Sequence, residues 1–504
     1  MLLKKNVTSL NRISVEHLNR EAKKSNIWCF GCGKRLYEML NLYQNEPFVS
    51  AVKGLFDNNR KLFHKEKEII NKKWKIYNPE DICKINGILL ITSDYYNDIY
   101  NSIKAEITDS KIQCYIYPLY YYDITSMLMR IMKSTPVKRQ MLFYAGDQPH
   151  ENADEIIRYL DEEYKGKKYK IVILQEKNES INRKIKVINK WTPRTKTSLI
   201  EVIRYCILYA SSKYLIYENE SLEKVGSRQK LIYLNHGTLP LKDVKDVLKQ
   251  PEELDYAVCP GIGCREIYKE QYGIPYNKQI YMMLPRVHRV LNGKGGIDLL
   301  INRKNNNIIL WLPTFRQLLG SSRVDSNEIN PLAILKNNIY ELDRQLKLNG
   351  QMLVIKKHPR EKSEILINKD IENIYILGEN QLSENRLILQ DLFCDTVALI
   401  TDYSSIAFEY MLLDKPIGYI LDDIDEYFRG FSVSNPLEYM PGEKIKNIES
   451  LFDFLNGLKN NEDKYKYERE NLIQKLFGEN AYSDGTERFI SFLDGEKDEK
   501  ILRD

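Results

Sequence analysis

The residues best suited to chemistry fall in four short clusters, each where an apolar run stops. After KLIYLN stands His236-Gly237-Thr238-Leu239-Pro240-Leu241-Lys242, and after IILWL stands Pro313-Thr314-Phe315-Arg316. After MLVIK comes Lys357-His358-Pro359-Arg360, and after VALI comes Thr401-Asp402-Tyr403-Ser404-Ser405. The chain has six histidines, and His236 and His358 both stand at such ends beside basic or hydroxyl residues. Together the clusters form an inventory for handling phosphate: cations pair with its oxygens, hydroxyls donate to it, and imidazole moves protons near neutral pH.

The last cluster has the clearest local logic. The β-branched run Val397–Ile400 predicts a strand, and Ile406, Tyr410 and Leu413 predict one side of a following helix. Free backbone N–H groups and the positive helix end would meet at the Asp402–Ser405 turn, with two serine hydroxyls added. The plainer alternative is that Asp402 and the serines only cap the helix.

Apolar runs alternating with helical patterns predict the elements that carry these clusters. A first block has strands at Asn26–Phe30, Phe48–Phe56 and Gly87–Thr92, a Gly31-Cys32-Gly33 turn, and a helix at Lys34–Tyr43. With Asp57 further on, this is a Rossmann-like unit, but Leu36 replaces the third glycine, which argues for a nucleotide fold without NAD chemistry. Tyr120–Gln140, aromatic and basic, reads as a connector. The second block has strands at Met141–Ala145, Lys170–Gln175, Tyr214–Tyr217 and Lys230–Leu234, a turn at Gly146–Pro149, and helices at Asn152–Tyr164 and Ser198–Ala210. The third has strands at Asn307–Leu312, Met352–Ile355, Asn373–Leu377, Val397–Ile400 and Pro416–Leu421, with a helix at Pro331–Leu348. Such alternation predicts parallel, doubly wound α/β sheets whose ligands lie at the carboxyl ends of the strands.

At 504 residues the chain is too long for one ordinary core. Its 43% apolar and 29% charged content describes a globular protein, and a net charge of +5 gives no argument for nucleic acid. The basic run Lys61–Lys75 fits either an anionic membrane face or, more simply, a solvated helix face. No apolar run is long enough to span a membrane, and the first twenty residues lack the apolar core of a signal peptide. Eight scattered cysteines suit a reducing cytoplasm. The Cys29/Cys32 and Cys259/Cys264 pairs read as buried filler at strand ends rather than redox or zinc sites.

The segments HGT…PLK, LPTFR, KKHPR, LITDYSS…E and DEYFRGF…PGE, in this order, resemble the CDP-glycerol glycerophosphotransferase family, which includes teichoic-acid primases and polymerases. Ser483-Asp484-Gly485 resembles the family's last motif. Two departures bear on the acceptor: Leu239 intervenes before Pro240, and Pro285-Arg286-Val287-His288 stands where the family tends to have Pro-Arg-Asn-Asp. The resemblance implies a GT-B-type pair of doubly wound Rossmann-like domains, over 141–290 (acceptor side) and 291–504 (donor side). An extra Rossmann-like domain over 1–120 and a connector over 121–140 would precede them. It implies transfer of a polyol phosphate from CDP-glycerol or CDP-ribitol to a hydroxyl of a lipid-linked or growing surface polymer, such as teichoic acid or capsule, releasing CMP. The enzyme would work in the cytoplasm, peripheral to the inner membrane face, with no cofactor beyond the donor substrate.

Resemblance and chemistry agree on roles. His236 is expected as general base. Arg316, His358 and the Ser404/Ser405 helix start are expected to hold the diphosphate as CMP leaves. Thr314 and Thr401 would hydrogen-bond phosphate or ribose, and Asp402 would orient the turn. Gly237, Thr238, Lys242 and Arg286 fall on the acceptor side or near the cleft, while Lys356, Lys357 and Arg360 read as surface charge. The acidic Asp422-Asp423-Ile424-Asp425 run is expected to cap a helix, not to bind metal. Two other functions fit less well: glycosyl transfer from a nucleotide sugar on the same fold, and an inactive scaffold.

Overall fold

The computed structural model describes residues 11–13, 15–93, 96–108, 112–116, 122–144, 151–164, 169–175, 186–189, 199–219, 221–245, 247–293, 295–303, 307–316, 325–326, 330–335, 338–358, 370–378, 380–385 and 387–495. Three sheets organise them. The first contains β1 (Asn11–Arg12), β2 (Ile27–Phe30), β3 (Val52–Phe56), β4 (Glu66–Ile69), β5 (Lys72–Tyr77), β6 (Gly87–Ile91) and β7 (Ile112–Ile116), in the order β1-β7-β6-β2-β3-β5-β4. The second contains β8 (Lys138–Tyr144), β9 (Lys170–Gln175), β10 (Lys186–Asn189), β11 (Ser212–Tyr217), β12 (Lys230–Tyr233), β13 (Tyr256–Cys259) and β14 (Gln279–Tyr281), ordered β10-β9-β8-β11-β12-β13-β14. The third contains β15 (Ile308–Trp311), β16 (Met352–Ile355), β17 (Ile374–Ile376), β18 (Thr396–Thr401), β19 (Ile417–Ile420) and β20 (Glu443–Ile445), ordered β17-β16-β15-β18-β19-β20.

Among the described ladders only β4 with β5 is antiparallel. Parallel strands are covered by helices on both faces, which is why they read as unbroken apolar runs: all four residues of β15 and of β16 are buried. The chain divides into two compact units. One holds Met1–Leu142, Val172–Lys213 and Leu222–Gln229; the other holds Phe143–Ile171, Tyr214–Ser221 and Lys230–Asp504. The boundary runs through β8 and β9, while β11 from Tyr214 onward, β12 to β14 and the entire third sheet belong to the second unit.

Several local expectations are corrected. Phe48 and Val49 lie in a helical turn, Pro47–Ser50, with Pro47 pre-set for its start, so the strand begins only at Val52. Lys61–Lys75 is no helix face: after a short turn at Arg60–Leu62 it forms the β4–β5 hairpin. Ile70 and Asn71 both take positive φ (49° and 60°), the mirror-image turn that matches strand twist. Its exposed lysines face glutamates, Lys75 opposite Glu66 and Lys73 opposite Glu68. The helix expected over Pro331–Leu348 is a short turn at Ala333–Leu335 and a helix at Ile339–Asn349, closed by Gly350 at φ 66°. The expected connector contains a helix, Tyr122–Ile131, and the start of β8. The Gly146–Pro149 turn, Pro359 and Arg360 lie outside the described residues.

The carboxyl end of β2 shows why the first sheet's glycine turn is shut. Gly31 takes φ 103° and Gly33 precedes the helix Lys34–Leu42, as a dinucleotide turn would. However, Asp57 turns back and its Oδ2 accepts from the Cys32 backbone N–H at 2.7 Å. Lys67 donates to the Cys32 carbonyl. The carboxylate that would meet a ribose is therefore spent on the turn itself. Cys29 and Cys32 are free and buried, and burial pushes the Cys32 thiol up to about 12. Cys259 and Cys264 are likewise free and buried, donating to the carbonyls of Gly261 and Leu476. Such thiols are packing, not reagents.

Candidate active site

The His236 turn is built from Asn235. Beyond β12 the chain continues through Leu234, and Asn235 then takes φ 66°, a left-handed conformation that Asn tolerates better than most residues. At 1% exposure its polar atoms are fully engaged. Oδ1 accepts from the backbone N–H of His236 (2.7 Å), that of Gly237 (3.3 Å) and the Tyr233 hydroxyl (2.9 Å). Nδ2 donates to Tyr268 (2.8 Å) and Tyr272 (3.3 Å), and the carbonyl accepts from Asn152 at 3.0 Å. The Tyr268 hydroxyl in turn donates to the Thr238 carbonyl at 3.0 Å. The result is an exposed imidazole on a rigid, buried anchor.

The same turn meets the Asp402–Ser405 segment. A Cβ on Gly237 would lie 2.7 Å from Ser405 Oγ and 3.2 Å from Ser405 Cβ, so any larger residue would have to displace Ser405. One residue on, Thr238 Oγ1 donates to Glu409 Oε1 at 2.7 Å. Glu409, fully buried, also binds the Arg286 guanidinium and accepts from Gln390 at 3.0 Å. Arg286 reaches Glu151 at 2.5 Å, and its backbone N–H donates to Asn152 at 3.1 Å. Burial pulls the Arg286 pKa down, but Glu409 and Glu151 more than offset that pull. Beside it, burial pushes the Glu218 carboxyl up to about 8, against the pull of the Ala153 N–H, with Glu151 adding to the rise. Glu218 accepts from that N–H at 2.9 Å and so caps the helix Glu151–Tyr164.

Behind the serines lies a second braced cluster. Asp402 Oδ2 accepts from the Thr314 backbone N–H (3.0 Å), the Thr314 hydroxyl (2.9 Å) and Arg316 Nη1 (2.8 Å). Arg316 Nε and Nη2 donate to Asp423 at 2.6 and 3.2 Å, and its plane lies over Tyr403 and Tyr427. Burial would raise Asp423, yet Arg316 and the Tyr403 hydroxyl hold it below the usual carboxylate range. Arg316 is 2% exposed and bound to two carboxylates, which places it behind the serine turn rather than at its front. Thr401 lies deeper still: it is fully buried, and its hydroxyl donates to the Leu312 carbonyl at 2.8 Å. Thr314 serves the brace as well. Ser404 and Ser405 remain half-buried at the front, before a helix of five residues, Ile406–Tyr410, that tightens into a turn at Met411–Leu413.

His358 comes in through Phe315, whose ring it meets edge-on at 4.9 Å, and Lys242 lies 5.6 Å above the same ring. The chain around Lys242 is zipped to the aromatic loop: Lys242 bridges Phe431, Ser432 N–H donates to the Leu241 carbonyl at 2.9 Å, and Arg429 donates to the Asp243 carbonyl at 2.9 Å. The acidic run does stand at the start of a short helical turn, Ile424–Glu426, but Asp423 makes no side-chain cap and pairs with Arg316 instead, while burial beside Asp423 pushes Asp422 up to about 6. Ser483-Asp484-Gly485 is architectural. Asp484 caps the helix Gly485–Leu493, and a Cβ on Gly485 would lie 2.0 Å from the Met283 carbonyl.

Sequence reading missed Asn235, Glu151, Asn152 and Glu218, and gave Glu409 no role. Glu409 did leave a signal, a lone carboxylate inside the apolar run IAFEYML. Asn235, directly before the His-Gly pair at a strand end, is the other legible one. The remaining partners come from distant strand ends that only the fold brings together. Chemically, the front of the site offers an exposed imidazole beside two hydroxyls, with carboxylates and guanidinia paired to one another behind. That arrangement suits proton transfer next to a bound anion.

Comparison with known proteins matches residues 127–502 to the model of the CDP-glycerol:poly(glycerophosphate) glycerophosphotransferase family. The chain is 29% identical over 195 residues to the ribitol-phosphate polymerase TarL of Staphylococcus aureus, covering 38% of this chain and 31% of that protein. It is 26% identical over 320 residues to the teichoic acid glycerol-phosphate primase of Bacillus subtilis, covering 58% of this chain and 77% of the primase. Thus the match spans only about a third of TarL and of the related polymerase TarK (31% and 34%). Among solved structures, that of the wall teichoic acid polymerase TagF aligns with a TM-score of 0.56 at 17% identity, covering 75% of this chain and 94% of TagF. The fold is therefore of the GT-B type.

Proposed function

Because the chain belongs to the CDP-glycerol:poly(glycerophosphate) glycerophosphotransferase family, we propose that it transfers a polyol phosphate from a CDP-alditol to a hydroxyl of a surface-polymer precursor. Glycerol phosphate and ribitol phosphate both fit, and the acceptor is a lipid-linked or growing teichoic-acid-type chain. The observation that carries this reading is the approach of the His236-Gly237 turn to Ser405, which sets a base beside an anion-suited turn. His236 takes the acceptor proton, the acceptor oxygen attacks the polyol phosphorus, and the P–O bond to CMP breaks with its electron pair leaving on CMP. Ser404 and Ser405 receive the diphosphate, and His358 supports the CMP side.

Thr314, Arg316, Thr401 and Asp402 act here as positioning residues, holding the serine turn from behind. Gly237, Thr238 and Arg286 fix the acceptor-side turn, and Lys242 flanks it. This displacement needs no redox cofactor, in keeping with a first-sheet glycine turn closed by Asp57. Contact with a lipid-linked acceptor would be peripheral, at the inner membrane face; among the described residues no helix is long and apolar enough to cross a membrane. The test is a donor screen with a hydroxyl acceptor. CMP released from CDP-glycerol or CDP-ribitol supports the reading; nucleoside diphosphate released from a nucleotide sugar, with no CMP from either alditol, overturns it.

A further inference from the structure

At the edge of the first sheet opposite the Gly31–Gly33 turn, a groove of about 680 Å³ opens among the amino ends of β2, β3, β6 and β7. Its charged members are Lys23, Lys24 and Lys53, all exposed, with Asn26, Asn86 and Gln113 adding amide donors. No carboxylate and no aromatic ring lines it. Among the described residues none of these three ammonium groups has an ion-pair partner. The β4–β5 hairpin of the same sheet behaves differently, because its Lys73 and Lys75 stand opposite Glu68 and Glu66.

Three like charges around one concave space repel each other, and a bound polyanion would relieve that repulsion. The walls also say what kind of polyanion. Nucleotides and single-stranded nucleic acid are gripped by stacking on aromatic side chains, which this groove lacks. A flat bilayer surface does not enter a concave groove. A flexible phosphodiester chain without bases, its phosphates on lysines and its hydroxyls on side-chain amides, matches every wall.

We propose that this groove binds an anionic poly(polyol phosphate) chain at a place separate from the transfer site. The identity of that polymer rests on the function proposed above; the groove's preference for a phosphodiester chain rests on its own charge and shape. The test titrates synthetic oligo(glycerol phosphate) against the full chain and against Lys23→Ala/Lys24→Ala/Lys53→Ala, at low and at moderate salt. The variant is expected to lose at least about tenfold in affinity at low salt, with a shallower salt dependence, since fewer counterions are released. The triple arginine variant should keep the affinity, and Lys73→Ala should leave it unchanged. Unchanged affinity in the triple alanine variant overturns the proposal. So does loss of binding to anionic phospholipid vesicles with oligomer binding intact. CMP release from CDP-glycerol onto a minimal acceptor reads the transfer reaction separately: it should be equal in wild type and variant, and its absence from both defeats the transfer reading while leaving the groove's affinity standing.

Discussion

The carboxyl ends of β2 and β12 are built from the same vocabulary, a strand running into a glycine turn, yet one is closed and the other open. At β2 the turn's backbone N–H is taken by Asp57 and its carbonyl by Lys67. At β12 the backbone is satisfied from below by the Asn235 side chain, which leaves His236 exposed in front. What distinguishes a site from a fold element here is where the polar groups are satisfied. A turn whose backbone is taken at the front by side chains from neighbouring segments has little left for a ligand, whereas a turn stabilised from its buried face keeps its front side chain exposed.

That contrast can be broken most directly at His236. If the open turn exists to present a base, His236→Ala should lose about 10²–10⁴ in turnover, with donor affinity little changed. Steady-state CMP release with a separate donor titration checks this, and near-native turnover would remove His236 from the mechanism. A second comparison sets the carboxylates of the two regions side by side. Glu409→Ala leaves the buried Arg286 with only Glu151 and should cost about 3–5 kcal/mol of stability. Asp57→Ala, removing hydrogen bonds to two backbone N–H groups from a half-buried position, should cost only about 1–2 kcal/mol. Chemical unfolding of both variants measures the gap; equal losses would erase the distinction.

Smaller effects sharpen the picture. Gly237→Ala should reduce turnover by about tenfold by forcing the two turns apart, and adding Ser405→Ala should recover part of that loss, a coupling of about 1 kcal/mol. Strictly additive losses would mean that the turns do not touch. Glu218 gives a pH signature. Burial raises it from an ordinary value of 4.5 to about 8, so the folded state keeps a proton that the unfolded state releases. Its contribution to stability therefore falls as pH rises from about 4.5 to about 8, by at most about 1.4 kcal/mol per pH unit. Melting curves across that range should be flatter for Glu218→Gln than for the wild type.

The strands were legible because parallel strands buried on both faces are written as apolar runs, and Met352–Ile355 matches residue for residue. The clusters at strand ends were legible for the same reason, since polar residues stand out where such a run stops. What could not be read was direction. Arg316 and Thr401 have the residue types of a phosphate site, but the one turns into Asp402 and Asp423 and the other into the Leu312 carbonyl. Partners more than eighty positions away in the chain decide that, and no local pattern encodes them. The Lys61–Lys75 hairpin failed as a helix face because Ile70-Asn71 forms a two-residue turn, a signal hidden by the charge pattern around it.

The central claim is that the Ser404–Ser405 turn receives the donor diphosphate while the His236 turn faces the phosphorus under attack. A crystal structure of His236→Ala, trapped with CDP-glycerol, tests it most directly. The diphosphate should lie within hydrogen-bonding distance of the Ser404 and Ser405 hydroxyls and of the backbone N–H groups of their turn, with the emptied position of residue 236 facing the polyol phosphorus. A diphosphate bound away from that turn, or one held by an Arg316 released from Asp402 and Asp423, would contradict the account.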